Sequence, residues 1–324
     1  MGDYSDEPSQ AVTELLRAAV AAPSEHNTQP WRLWARTSGT GIEIYVDPAR
    51  MLPVSDPHGR AAYLACGAAL FNVRAAAAAN GLRARVALVP DPNRPLLVAR
   101  VELTGGHSAT PSDRELSAAI WERCSNREPY SDQVVPSVIR AELDAAAKSE
   151  NGLLHFLDEN EAARIGHLFA EAERELLSNP AYRAELTRWV GGDRTEDGIP
   201  SQVIGPRSAL GRDPVRDFTP GRPQPVRYAN FEGQPQLAVL SVMTDNLVGW
   251  ITAGQALEKV WLTATWRGVS VCPLTPPLET DDAWLVRARR HGIGHPQMIL
   301  RVGYGPLLTA RTPRRPTSDV VSWS

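Results

Sequence analysis

Cysteine is scarce in this chain, lysine almost absent, net charge small and long hydrophobic runs missing, and each shortage excludes something. Three cysteines in 324 residues, Cys66, Cys124 and Cys272, stand far apart. They form neither a disulfide framework nor the paired spacing of a zinc site. His291 and His295 have no cysteine or carboxylate company that argues for a metal. A formal net charge of −3 gives no electrostatic ground for a nucleic-acid partner. No unbroken apolar run approaches the ~18–20 residues that span a bilayer. The acidic opening MGDYSDEPSQ does not read as a signal or transit peptide, so no membrane partner and a reducing cytoplasm are expected. Only two of the 34 basic residues are lysines, Lys148 and Lys259. The cationic side chains are therefore nearly all planar guanidinium forks, which suit phosphate.

What is present is apolar content of 43%, enough for one large core or two moderate ones. Val12, Leu15, Leu16 and Ala19 keep helical spacing from Ser9 to Ala22, where Pro23 ends the run. Ile42, Ile44 and Val46 alternate with polar residues as a half-buried strand does. Gly59 to Asn80 is an alanine-rich helix too apolar for a surface, closed by Gly81. Strands follow near 83–89 and 96–103, then a linker at Thr104–Pro111. Ser112 and Glu115 have capping-box spacing for a helix running to about Arg123. Further helices are expected at 137–148, 159–178, 181–190 and 246–267, with strands at 236–243, 269–273 and 297–303. Residues 191–235, rich in Gly, Pro and Arg and without periodicity, read as a long irregular excursion. It carries Arg194, Arg207, Arg212, Arg216, Arg222 and Arg227 and is either a solvated loop or a functional lid. The class is mixed α+β.

The chain also resembles itself. Pro8-Ser9, Glu14-Leu15 and Ala18-Ala19 fall without a gap on Pro136-Ser137, Glu142-Leu143 and Ala146-Ala147. Gly67-x-Ala69-Leu70 followed by Gly81 matches Gly254-x-Ala256-Leu257 followed by Gly268, with a glycine-to-glycine spacing of 14 in both. Arg100-Val101 matches Arg301-Val302. Three matches in one order favour an internal duplication.

Three segments carry candidate chemistry. Ala22-Pro23-Ser24-Glu25-His26-Asn27-Thr28-Gln29-Pro30-Trp31 is a helix end entering a strand through a loop dense in small donors and acceptors. Its amides each offer a donor and an acceptor to the edge of a pyrimidine-like ring; the simpler reading is a capped turn beside a packed Trp31. In Arg123-Cys124-Ser125-Asn126-Arg127-Glu128-Pro129-Tyr130, two guanidiniums flank a hydroxyl, a set able to grip a dianion with bidentate bonds or to be an exposed basic helix end. Pro313-Arg314-Arg315-Pro316 is a basic cluster near the end of the sequence, readable as an ordinary tail.

In this order the segments resemble the flavin-ring loop, the phosphate grip and the closing basic segment of nitroreductases. The grip lies in one half and the ring loop in the other, and the second half reads Lys148-Ser149-Glu150-Asn151-Gly152-Leu153-Leu154 where a second ring loop would stand. That distribution is similar to the Acg family of actinobacterial, nitroreductase-like flavoproteins, which are duplicated in one chain and carry a lid. The resemblance implies a nitroreductase-like fold in two halves, 1–107 and 108–324, the second including a lid at 191–235. It implies one FMN between the halves, held by Pro23, Ser24, Asn27, Gln29, Arg123, Ser125, Arg127, Leu274, Thr275, Arg314 and Arg315. The activity implied is an oxidoreductase's, with NAD(P)H as transient donor and a small electron-poor molecule as acceptor; the alternative is flavin sequestration. A monomer is implied too, since one chain supplies both sides of the usual dimer interface. The turn that places a backbone N–H at the flavin N5 in nitroreductases corresponds to Val271-Cys272-Pro273-Leu274-Thr275-Pro276-Pro277-Leu278-Glu279. Prolines cannot donate, so the donor is sought at Leu274, Thr275 or Leu278, with Thr275 preferred. His26 is a candidate proton donor or a partner for the loop backbone, and Cys272 a packed small hydrophobe.

Overall fold

In the computed structural model the described residues are 10–210, 216–218, 226–280 and 294–323. Pro8, Ser9, Arg212, Arg222 and His291 lie outside them.

Helix α1 (Gln10–Val20) buries Leu15, Leu16 and Ala19 along one stripe. Strand β1 (Trp31–Ala35) alternates buried and exposed residues, with Trp31 and Leu33 inward, and pairs antiparallel with β2 (Gly41–Val46). Helix α2 (Arg60–Ala79) follows, then β3 (Leu82–Leu88) and β4 (Leu97–Gly105). Helices α3 (Pro111–Ala119) and α4 (Ser137–Ser149) lead to β5 (Leu153–Phe156), and α5 (Glu159–Ser178) to α6 (Pro180–Trp189). The segment after α6 holds the two-residue strands β6 (Arg207–Ser208) and β7 (Tyr228–Ala229), paired parallel. Strand β8 (Gln236–Val242), helix α7 (Leu247–Trp266), strands β9 (Ser270–Leu274) and β10 (His295–Gly303) and a last short strand β11 (Val321–Trp323) complete the order.

The strands form two principal sheets. One has the order β11-β1-β2-β4-β3 and the other β5-β8-β10-β9. Apart from β11, the two have the same order relative to the chain, with α2 between β2 and β3 and α7 between β8 and β9. β11 runs parallel to β1, with Leu33 opposite Val321, so the end of the sequence completes the sheet of the first half.

Between the sheets α2 and α7 pack on each other, and their sequence shows how. A Cβ on Gly67 would lie 2.2 Å from the Ile251 carbonyl oxygen, and one on Gly254 only 1.9 Å from that of Leu64. The backbones touch at these two glycines, and no side chain fits there. Averaged over 18 residues, α2 is apolar enough to cross a membrane, yet 83% of that window is buried inside the protein. Its apolarity is that of a core helix, with neighbours on all sides.

Four local readings differ from the structure. The capping box of α3 is Thr110 with Asp113, not Ser112 with Glu115; Pro111 is then the first helical residue, where its missing N–H costs nothing. α3 ends at Ala119 rather than near Arg123, which leaves Arg123 outside the helix and free to turn inward. The short strands β5 and β11 had no alternating pattern long enough to announce them. Because β4 continues to Gly105, it also takes the first residues of the expected linker.

Candidate functional site

The loop after α1 is held in a costly conformation. His26, Asn27 and Gln29 have φ of 47°, 55° and 51°, the left-handed region that residues with a Cβ avoid. What holds it is a saturated set of hydrogen bonds. The Ser24 Oγ accepts from the Gln29 N–H at 2.9 Å. The Asn27 amide donates to the carbonyls of Gly198 and Pro313, both at 2.9 Å, and its oxygen accepts from Arg314 at 3.0 Å. Gln29, fully buried, donates to the Glu196 carbonyl at 2.8 Å and accepts from the Arg315 N–H at 2.9 Å. The ring-loop amides thus tie the irregular segment after α6 to the basic segment near the chain's end. Arg50 adds a clamp, donating to the Thr28 carbonyl and pairing with Asp197 at 2.9 Å.

Arg123 and Arg314 meet at the end of α1. Each donates to the Ala21 carbonyl, at 3.0 and 3.1 Å. Arg123 lies over the Trp261 ring at 4.6 Å, and its Nε is 3.3 Å from Glu258, too poorly aligned for a hydrogen bond. Glu258 is wholly buried; burial pushes its carboxyl up to about 7, against the pull of Arg123. Burial and the like charge of Arg123 bring Arg314 down to about 9, still protonated at neutral pH. One buried and one partly buried cation therefore face one buried carboxyl whose ionisation is opposed by its burial. Arg123 Nε, Arg314 Nε and both Glu258 oxygens are buried without a hydrogen-bond partner, so the cluster has two cations to one carboxyl and spare donors for an anion. The Arg315 side chain, by contrast, lies among Arg50, Asp47, Asp197 and Asp319.

Arg127 goes elsewhere. It donates to the Val203 carbonyl at 3.1 Å and lies 5.6 Å from the centre of the Phe218 ring. Ser125, two residues after Arg123, is bridged to Val271 at the start of β9. Pro23 sits half-buried where α1 gives way to the loop. At the other end of β9, Leu274 is buried and Thr275 opens a turn in which Leu278 N–H donates to the Thr275 carbonyl at 2.7 Å. That takes Leu278 out of the three candidate donors. Thr275 Oγ1 lies 3.3 Å from Glu25 and also accepts from Arg216.

His26, almost fully buried, packs edge-on against Phe218 with 6.3 Å between ring centres. Burial and the charge of Arg216 lower its pKa to about 3, so its imidazole is neutral near neutral pH. Cys272 is buried, and burial raises its thiol. A groove of about 220 Å³ on the outer face of the five-stranded sheet, lined by Trp34, Arg36 and Arg100, includes none of these residues. Among the described residues no three His, Cys, Asp or Glu side chains gather as a metal would require.

Sequence reasoning passed over Glu25, Glu258 and Glu279 and gave Arg216 no separate role. Glu25 stood inside the quoted loop motif, and Glu258 lies one helical turn after Gly254 of the repeat, facing inward where a carboxylate is unusual. No signal along the chain singles out Arg216 from the other arginines of its segment.

The chain matches no family model. It is 36% identical to a Mycobacterium tuberculosis H37Rv protein provisionally named NAD(P)H nitroreductase, over 97% of this chain and 92% of that one. It is 30% identical to the M. tuberculosis H37Rv protein provisionally named NAD(P)H nitroreductase acg, over 96% of both. Among solved structures, a crystal structure of a provisional nitroreductase from Anabaena variabilis ATCC 29413 superposes with a TM-score of 0.53 at 10% identity, over 93% of this chain and 90% of that one. The fold is nitroreductase-like, with mixed sheets packed by helices. The chain belongs to the Acg-type branch of the nitroreductase-like proteins.

Proposed function

We propose that the chain is an FMN-dependent oxidoreductase that holds one FMN between its two halves and passes electrons from NAD(P)H to a small electron-poor acceptor. The observation that carries the reading is the Arg123–Arg314 pair on the Ala21 carbonyl, Arg123 buried and Arg314 partly so, with Glu258, its carboxyl raised by burial, as the close carboxyl. Unpartnered nitrogens on Arg123 and Arg314 fit a phosphate that brings both charge and acceptors. In this reading Arg123, Arg314, Arg315 and the Ser125 hydroxyl hold the phosphate, while Pro23, Ser24, Asn27, Gln29, Arg127 and Leu274 line the ring. FMN supplies the two-electron carrier between a nicotinamide and the acceptor. Thr275 is the preferred backbone donor toward the ring, because Leu278 N–H is engaged and Pro276 and Pro277 have none. His26, neutral near pH 7, has no surplus proton to give and serves as a wall of the cleft.

Residues 1–107 and 108–324 are read as two copies of one unit that imitate a dimer within a monomer of the cytoplasm. The matching strand orders, the Gly67–Gly254 contact and the left-handed Gly81 and Gly268 (φ 74° and 68°) after α2 and α7 support this. Residues 191–235 are read as a lid; the hydrogen bonds that Gln29, Asn27 and Arg127 donate to the Glu196, Gly198 and Val203 carbonyls support it. One observation favours flavin sequestration instead: Arg216 and Phe218 of the same segment are packed against the ring loop.

The test is a spectrum and an anaerobic titration. Purified protein is expected to release one equivalent of FMN on denaturation and to bleach rapidly with NAD(P)H. Bleaching by dithionite alone would favour sequestration. The double variant Arg123→Ala, Arg314→Ala is expected to be purified without flavin; full flavin retention would sink the phosphate assignment.

A further inference from the structure

The side chains of Arg216 and Phe218 are packed against the loop after α1 as a bound molecule would be. The Arg216 guanidinium is 3.2 Å from Glu25 Oε1 and 2.9 Å from Glu279 Oε2, and it also bonds the Tyr182 hydroxyl and Thr275 Oγ1. These four groups come from separate parts of the fold: the loop after α1, the turn after β9, and α6. The side chains of both carboxylates are buried, and the cation between them is 11% exposed. Two residues on, the Phe218 ring is almost fully buried, 5.7 Å from the Arg216 guanidinium, 5.6 Å from that of Arg127, and edge-on to His26.

We propose that this clamp is the acceptor subsite of the proposed oxidoreductase and that it selects an aromatic cation. The acceptor is a planar, positively charged, reducible molecule of the pyridinium kind. Its charge takes the place of Arg216 between Glu25 and Glu279, and its ring takes the place of Phe218 beside His26. The inference rests on the oxidoreductase reading for the word acceptor; the cation site itself rests on the clamp.

The charge balance supports it. Glu25 Oε2 and Glu279 Oε1 have no donor of their own, and the two carboxyls interact directly. One proton shared between them satisfies both oxygens and leaves one negative charge. Burial, with Glu279 and Asp56 nearby, raises the Glu25 carboxyl well above its usual range. Arg216, with the bond from Glu25, holds Glu279 below its usual range although burial works the other way. The pair is therefore matched to a single monocation. If Arg216 withdraws and nothing replaces it, a buried charge is left unpaired, which is costly. A neutral acceptor leaves that charge stranded; a cationic one does not. Neutral His26 adds no repulsion on the ring side.

The test uses the full chain and two redox-inert probes of the same shape, benzamidinium and neutral benzamide, by calorimetry. Arg216→Ala is expected to bind benzamidinium about tenfold or more tighter than the wild type does, with no gain for benzamide. Adding Glu279→Gln is expected to abolish the gain. Equal binding of the two probes, or a gain that survives Glu279→Gln, would overturn the proposal. If Arg216→Ala does not fold, Arg216→Met keeps most of the stem volume without the charge. The wild type gives a separate answer: benzamidinium should raise its melting temperature more than benzamide does, and equal shifts count against the site. FMN released from the same samples is measured by absorbance, so a failed cation site is distinguishable from a failed flavin assignment.

Discussion

At the scale of single residues, the loop after α1 concentrates strain and charge in a few positions. His26, Asn27 and Gln29 share the left-handed region, a cost of about 1–3 kcal/mol for each such residue, and their side chains are locked by distant segments. His26 also couples the loop to pH. Its folded pKa of about 3 lies below the ordinary value of 6.5. Between those values the unfolded chain binds a proton that the folded chain does not, so stability rises with pH. The contribution is complete above about pH 6.5 and is lost as pH falls toward 3, with a slope of up to about 1.4 kcal/mol per pH unit. His26→Asn removes the titration while keeping a side chain that tolerates positive φ. Urea unfolding from pH 4 to 6.5 is expected to show a shallower pH dependence in the variant than in the wild type. Equal slopes would show that the imidazole is not the group responsible.

The element that organises the molecule is the α2–α7 pair. Replacing glycine by alanine inside a helix is ordinarily favourable by about 1 kcal/mol. At Gly67 and Gly254 the sign reverses, because the new methyl would fall 2.2 and 1.9 Å from backbone carbonyl oxygens and neither backbone can rotate away. Overpacking of this kind costs typically 1–3 kcal/mol and sometimes more, and here it parts the two helices along their length. Gly67→Ala and Gly254→Ala are each expected to lower stability by about 3 kcal/mol or more, read from denaturant midpoints. A change within 0.5 kcal/mol would mean that the helices do not meet at these glycines. The helices themselves were legible, since α2 and α7 begin and end within two residues of the expected boundaries. Their long apolar patterns and terminal glycines are strong local signals. α3 was misread at its start because Thr110/Asp113 and Ser112/Glu115 have the same spacing, and the packing of α3 on α2 and α7 chose between them.

For the molecule as a whole, the two sheets differ at one edge. β1 receives β11 from the end of the sequence, whereas β5 is the terminal strand of its sheet. The proposed FMN site likewise draws on the α1 loop, the Arg123 segment and Arg314 once only. One FMN per 35.3 kDa chain is therefore the expected stoichiometry, measured by released flavin against protein mass from sedimentation. Two tightly bound FMN per chain would falsify the single composite site.

The sequence by itself determined the helices with long periodic patterns, the repeat of glycines, and the residue types of the loop after α1 and of the segment Arg123–Tyr130, because these signals are local and depend on spacing. It could not determine who meets whom. That Arg123 meets Arg314 while Arg127 turns to Phe218, and that a buried Glu258 sits beside the two, follow from contacts between residues distant along the chain. Glu25 and Glu279 are ordinary surface-type residues along the chain; only burial around Arg216 makes them a clamp. Tertiary structure decided these points because the charge and solvation of a side chain are set by what surrounds it in space, and a one-dimensional pattern does not carry that.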